Sequence, residues 1–363
     1  MKELELYLHI PFCVSKCKYC DFLSAPSRAE ERQNYVESLC QKIRSYREFA
    51  EAYHVVSIFL GGGTPSLLSG EQVTDIFCAL RETFFILENA EITMEMNPGT
   101  VTEEKLKAYR CVGVNRLSIG LQSTDNRELK LLGRIHTYEE FLHTWELVRR
   151  EGFLNVNIDL MFAIPFQTLE SYEKTLRTVA ELGPEHISAY SLIMEEGTPF
   201  YERYGEGRHA EELPSEEEER LMYEQTSQIL ETYGYQRYEI SNYAKDGYAC
   251  RHNLGYWDRV EYLGIGAGAS SFIGNRRWVE GEEEEVLDEQ AQKEEFMFLG
   301  LRKTEGVSKT KFQRCFAREL LEVYGDTVER LTGQGLLIQE GDKIRLSARG
   351  LDLANYVMSE FLL

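Results

Sequence analysis

Positive charge is scarce in this chain. Its 363 residues hold 40 Lys and Arg against 61 Asp and Glu, a formal net charge of −21. So acidic a protein repels a phosphate backbone and an anionic membrane surface, which argues against nucleic acid as the main ligand. No run of about 18 or more apolar residues occurs, so no transmembrane segment is expected. The opening MKELELYLHIPFC lacks the basic segment, apolar segment and small-residue cleavage site of a signal peptide. These absences lead us to expect a cytoplasmic protein whose eight cysteines are reduced thiols or metal ligands. A second paired cysteine motif is missing too, and a structural zinc site would normally need one. No internal repeat is visible, and low complexity is confined to short Glu runs.

Hydrophobic residues, at 43%, are enough for a sizeable core. Residues 4–10 alternate apolar and polar, a strand pattern. Strands are also expected at 54–60, 91–96, 115–121, 155–162 and 186–194. Helices are expected at about 28–52, 70–86, 102–110, 137–151, 168–182 and 215–233. Such alternation predicts an α/β fold with a parallel sheet and helices outside it. Six β–α units fall short of a closed eight-fold barrel, leaving an open partial (β/α)6 barrel or a doubly wound sheet. Either gathers its ligands at the C-terminal ends of the strands. The periodicity fades after residue 240. We therefore divide the chain into a core (1–240), an irregular segment with an acidic linker (241–287), and a mostly helical, winged-helix-like module (288–363). A hairpin at 333–350 and a final helix to Leu363 belong to the last.

Three cysteines crowd onto the loop after the first strand: Cys13, Cys17 and Cys20, spaced C-x3-C-x2-C. Three thiolates so close together can converge on one soft metal centre. An iron–sulfur cubane normally takes four cysteines, so three leave one iron open. The other five (Cys40, Cys78, Cys111, Cys250 and Cys315) are expected to pack as small hydrophobes. The run Gly61-Gly62-Gly63-Thr64-Pro65 ends the second strand, where glycines let backbone amides approach a ligand. Glu95 ends the third strand, Gln122 the fourth, and Arg134 follows in a loop. Asp159 sits within the fifth strand, where a charge is costly unless it is paired or hydrogen-bonded.

The cysteine spacing after a first strand resembles the signature of the radical S-adenosylmethionine (SAM) superfamily. The resemblance implies a [4Fe-4S] cluster on Cys13, Cys17 and Cys20, with the open iron chelating the amino and carboxylate groups of SAM. Electron transfer from such a cluster cleaves SAM to methionine and a 5′-deoxyadenosyl radical. More narrowly, YLHIPFC, GGGTPS, MEMNP and IGLQS are similar to the oxygen-independent coproporphyrinogen III oxidase family over essentially the whole chain. That likeness implies SAM contacts at Tyr7, Tyr19, Gly62, Gly63, Thr64, Glu95, Gln122, Arg134 and Asp159. Two departures matter. The oxidases carry a further cysteine two places after the third, and here that place is Phe22. An added element, His252-Asn253-Leu254-Gly255-Tyr256-Trp257, resembles the HNxxYW mark of the HemW group, heme chaperones derived from the oxidases. The expectation is a protein that binds heme and passes it to an acceptor protein, with the respiratory chain as the candidate destination. His252 would be the iron ligand, with Tyr256 and Trp257 against the porphyrin. The alternative is the oxidase reaction, decarboxylation of two propionates to vinyls. A heme-modifying radical SAM methyltransferase is a third reading.

Overall fold

The computed structural model describes residues 1–362. Six strands form its centre: β1 (Lys2–Ile10), β2 (Tyr53–Gly62), β3 (Ile86–Met96), β4 (Arg116–Gln122), β5 (Val156–Phe162) and β6 (His186–Ser191). They pair in chain order, each parallel to the next. Helices α1 (Ala29–Ser45), α2 (Gly70–Thr83), α3 (Glu103–Cys111), α4 (Tyr138–Arg150), α5 (Leu169–Leu182) and α6 (Glu216–Thr232) alternate with the strands. Along β1 the period of two is strict. Leu4, Leu6, Leu8 and Ile10 are fully buried on one face, while Glu5, Tyr7 and His9 occupy the other. Capping boxes at Ser69, Thr137, Thr168 and Ser215 start four of the helices at the strand-to-helix turns.

The sheet does not stop at residue 240, as the loss of periodicity suggested. β7 (Asn242–Ala244) pairs antiparallel with β6, and β8 (Tyr262–Ile265) adds parallel to the outer edge of β1. An antiparallel run of β9 (Ser270–Ile273), β10 (Arg276–Val279) and the pair Glu285–Val286 follows, and with the short strand Gln236–Arg237 beside β7 the sheet has 12 strands. The expected boundary therefore cuts through one sheet, and part of the acidic run is an edge strand. Strands of two to four residues are too short to display a period, which is why the sequence concealed them. Between β7 and β8 lies a short helix, α7 (Arg251–Trp257).

The C-terminal module has its own core, built on Phe296, Leu301, Phe312, Tyr324, Leu331 and Phe361. Three helices (Glu289–Gly300, Lys309–Phe316, Leu320–Gly333) pack with a three-stranded antiparallel sheet that contains the expected hairpin, Leu337–Glu340 with Lys343–Leu346. This is the winged-helix-like arrangement. The final helix is broken into Ala348–Asp352 and Ala354–Ser359, and Leu363 lies outside the described residues. Among the described residues, no helix is long and apolar enough to cross a membrane.

Candidate cofactor site

The C-terminal ends of β1–β6 surround a cavity of about 500 Å³, lined by all three clustered cysteines. Backbone bonds hold the cysteine loop over the strand ends. Lys18 N–H donates to the Leu132 carbonyl at 3.0 Å, and Phe200 N–H donates to the Lys18 carbonyl at 3.0 Å. The glycine run makes room beneath it. A Cβ on Gly63 would lie 2.6 Å from the Phe12 carbonyl oxygen, and one on Gly62 would lie 2.4 Å from the His9 ring. Gly62 also has φ +104, a conformation that only glycine adopts without strain. These glycines therefore set the base of the cysteine loop directly against the end of β2.

The charged residues of the wall are held in fixed positions. Gly62 N–H donates to the Glu95 carboxylate at 3.1 Å. Burial, with Asp159 nearby, pushes the Glu95 pKa up to about 8 against that bond. Arg134 donates to Cys17 Sγ at 3.5 Å and to the Asn97 side-chain oxygen at 2.6 Å. Asn97 donates in turn to the Thr64 hydroxyl at 2.8 Å, and Thr64 donates to Cys13 Sγ at 3.5 Å. A hydrogen-bonded chain thus runs from one cysteine sulfur to another. Asp159 accepts from Ser118 at 3.1 Å, from Asn157 at 2.7 Å and from Tyr190, which offsets its cost within β5. Gln122 sits where the β4–β5 register shifts and has φ +78, a strained backbone of the kind that collects at functional sites.

Of the residues singled out in the sequence, Cys13, Cys17, Cys20, Tyr19, Gly62, Gly63, Thr64, Glu95, Gln122, Arg134 and Asp159 line this one cavity. Tyr7 does not. It stacks on Phe59 and meets His9 Nδ1 at 3.0 Å, outside the cavity wall. The sequence reading missed Asn97, Ser118, His136 and Tyr190. Asn97 follows Glu95 within the quoted MEMNP run, and inward alternation along β6 marks Tyr190. The cysteine prediction also needs amending, because only Cys40 and Cys250 of the remaining five are buried. Three soft thiol donors on one cavity wall fit a [4Fe-4S] cluster with an open iron. The unpartnered Gln122 Oε1 and Arg134 Nε in the same wall fit a polar molecule beside it.

The structure corrects the expectation for His252. Its side chain is not at this cavity but inside the sheet, 1% exposed, beneath Phe59. Nδ1 meets Ser57 Oγ at 2.7 Å and Nε2 meets the Tyr256 hydroxyl at 3.1 Å. A heme ligand needs an accessible ring nitrogen, and both of these are engaged. Tyr256 packs on His252 and Tyr262, and Arg302 lies over one face of the Trp257 ring at 4.3 Å, so Tyr256 is held within the plug. The Glu91 carboxylate accepts from the backbone N–H groups of Arg251 and His252 at 3.1 Å, locking α7 in place as a plug.

Glu5 lies against this plug. A Cβ on Gly255 would come within 2.1 Å of its carboxylate oxygen, so close packing requires that glycine. Burial pushes the Glu5 pKa from 4.5 up to about 9, against the Ser57 hydrogen bond. The folded chain therefore keeps a proton that the unfolded chain releases, and this residue makes stability fall as pH rises from about 4.5 toward 9. Glu5→Gln removes that slope. It is expected to be more stable than the parent by about 4 to 5 kcal/mol at pH 8, and similar to it near pH 4. Thermal melts at the two pH values check this, and a Gln variant that melts with the parent at pH 8 would contradict it.

Comparisons with known proteins agree with this geometry. Residues 7–179 match the radical SAM superfamily, and residues 287–353 match the HemN C-terminal domain. The chain is 37% identical to the heme chaperone HemW of Lactococcus lactis, over 100% of this chain and 98% of that protein. It is also 37% identical to the heme chaperone HemW of Bacillus subtilis, over 98% of each. Against the heme chaperone HemW of Escherichia coli it is 43% identical, over 74% of this chain and 70% of that one. The fold is similar to the solved coproporphyrinogen III oxidase of Escherichia coli, with a TM-score of 0.86 at 24% identity over 99% of this chain and 90% of that one.

Proposed function

Because the chain belongs to the HemW family of heme chaperones, within the radical SAM superfamily, we propose that it binds heme and transfers it to an acceptor protein while carrying a [4Fe-4S] cluster and SAM. The observation that carries this reading is end-to-end identity of 37% with heme chaperones, C-terminal module included. In this reading Cys13, Cys17 and Cys20 hold the cluster, and SAM lies against Gly62, Gly63, Thr64, Glu95, Gln122, Arg134 and Asp159, with Tyr19 at the loop. When bound, the cluster supplies an open iron for SAM and an electron for its cleavage. The chain's own residues donate to the cysteine sulfurs through Thr64 and Arg134, and place the Glu95 carboxylate beside the glycine run.

The mouth of the cavity supports an apolar cargo. Val14, Phe22, Ile135 and Ile193 rim it, each more than half exposed, in a protein whose surface is otherwise rich in carboxylates. Phe22 stands where the oxidases have their further cysteine, which weighs against the alternative of coproporphyrinogen decarboxylation. In this reading the acceptor is a hemoprotein of the respiratory chain and the work is done in the cytoplasm. In this reading the core sheet runs on through the plug-bearing segment to about residue 287, and 288–363 is a separate module. The test is anaerobic. The cluster-reconstituted protein is titrated with heme, and separately given SAM, a reductant and coproporphyrinogen III, with products read by mass. Heme binding without loss of carboxyl groups is the expected result. Catalytic release of two carboxyl groups would make the protein an oxidase instead.

A further inference from the structure

We infer that His136, to which no role has been assigned, is a SAM-binding residue whose imidazole completes the polar wall of the cysteine cavity. The structure describes four buried histidines, and three of them have both ring nitrogens engaged. His9 meets Tyr7 and the Leu23 carbonyl, His186 meets Asn157 and Tyr238, and His252 meets Ser57 and Tyr256. His136 is 5% exposed, yet among the described residues neither its Nδ1 nor its Nε2 has a hydrogen-bond partner. The Leu121 backbone is close enough to raise the basicity of the ring, yet it can serve only one of the two nitrogens.

Burying an unpaired imidazole costs free energy, and proteins rarely bear that cost without a ligand or water to satisfy it. His136 is not alone. Gln122 Oε1 and Arg134 Nε are also buried and unpartnered, and all three residues line the cavity that holds the cysteines. An acceptor, a donor and an imidazole unsatisfied on one wall describe a site awaiting a molecule with both kinds of polar group. Burial and the Arg134 guanidinium keep the ring neutral, so it offers one N–H donor and one acceptor. SAM, with a carboxylate, an amine, ribose hydroxyls and a purine edge, presents both donors and acceptors. This inference rests on SAM being the occupant of the cavity.

The test compares the full-length, cluster-reconstituted parent with His136→Leu and His136→Gln. Anaerobic equilibrium dialysis gives SAM affinity, and the EPR signal of the reduced cluster is recorded with and without SAM. His136→Leu is expected to bind SAM about tenfold more weakly with iron and sulfide content unchanged, the loss of one hydrogen bond to a polar ligand. His136→Gln keeps a donor and an acceptor and is expected to recover most of that affinity. If the leucine variant does not fold, His136→Asn, whose amide is too short to reach as far, is expected to weaken SAM in the same direction. SAM affinity equal to the parent in His136→Leu, or in His136→Asn if that variant is used instead, would overturn the inference. Loss of iron from the folded variants would also overturn it, by making His136 part of the cluster's own support. A parent that binds no SAM would defeat the cofactor reading itself, an outcome visible before any variant is made.

Discussion

Cys17→Ala is expected to abolish the cluster, taking iron from about four per chain to less than about one after anaerobic reconstitution. Only three thiols converge on the cavity, so losing one leaves two ligands for a cubane that needs at least three from the protein. At Cys17 the sulfur also accepts the Arg134 guanidinium at 3.5 Å across 117 residues of sequence. Its removal takes away both a ligand and the tie between the cysteine loop and the end of β4. Cys78→Ala, at an exposed position on α2, serves as the control and is expected to leave iron and sulfide at parental levels. Parental iron in Cys17→Ala, or equal losses in Cys78→Ala, would remove the cavity as the cluster site.

The second large effect concerns Glu95. Its carboxyl is held up to about 8 by burial first and by Asp159 second, while the Gly62 amide opposes the shift. At neutral pH and without ligand it is therefore mostly protonated. A donor amine placed against it favours the ionised form, so SAM binding expels a proton whenever the pH lies below about 8. SAM affinity should accordingly rise with pH, by roughly tenfold between pH 6.5 and 8, and then level off. Glu95→Gln removes the acceptor charge. It is expected to weaken SAM by about 10- to 100-fold at pH 8 and to flatten the pH dependence. Anaerobic dialysis across this pH range measures both effects, and a parent whose affinity ignores pH would rule out the proton linkage.

Much of this arrangement was legible in the sequence, for reasons that can be stated. In β1 the apolar residues recur with a period of two, and the more fully buried β4 and β5 stand out as short apolar runs, signals that need no knowledge of the fold. The cysteine loop was legible because its three ligands come from one short segment. Local spacing is enough to bring them together. Strands β7–β10 were not legible, because three or four residues cannot show a period and their partners lie up to about 260 residues away in β1. His252 was misjudged for a related cause. A motif names residue types, but whether a ring nitrogen faces solvent or Ser57 depends on where α7 comes to rest.

By itself the sequence determined the open parallel α/β architecture, the cysteine loop, and the glycines and carboxylates at the strand ends, since each rests on neighbours a few residues apart. Only the tertiary structure decided which polar groups go unsatisfied. Arg134 reaches Cys17, Asn97 reaches Thr64, and His136 reaches no side chain, the first two across separations of 117 and 33 residues that no local pattern encodes. It also decided that the HNxxYW helix closes the interior of the sheet instead of offering a ligand, because the Glu91 cap and the protonated Glu5 lie on strands more than 150 residues away from it. Hydrogen bonds saturate, so a group bound within the fold is lost to a ligand, and only the folded chain shows which groups those are.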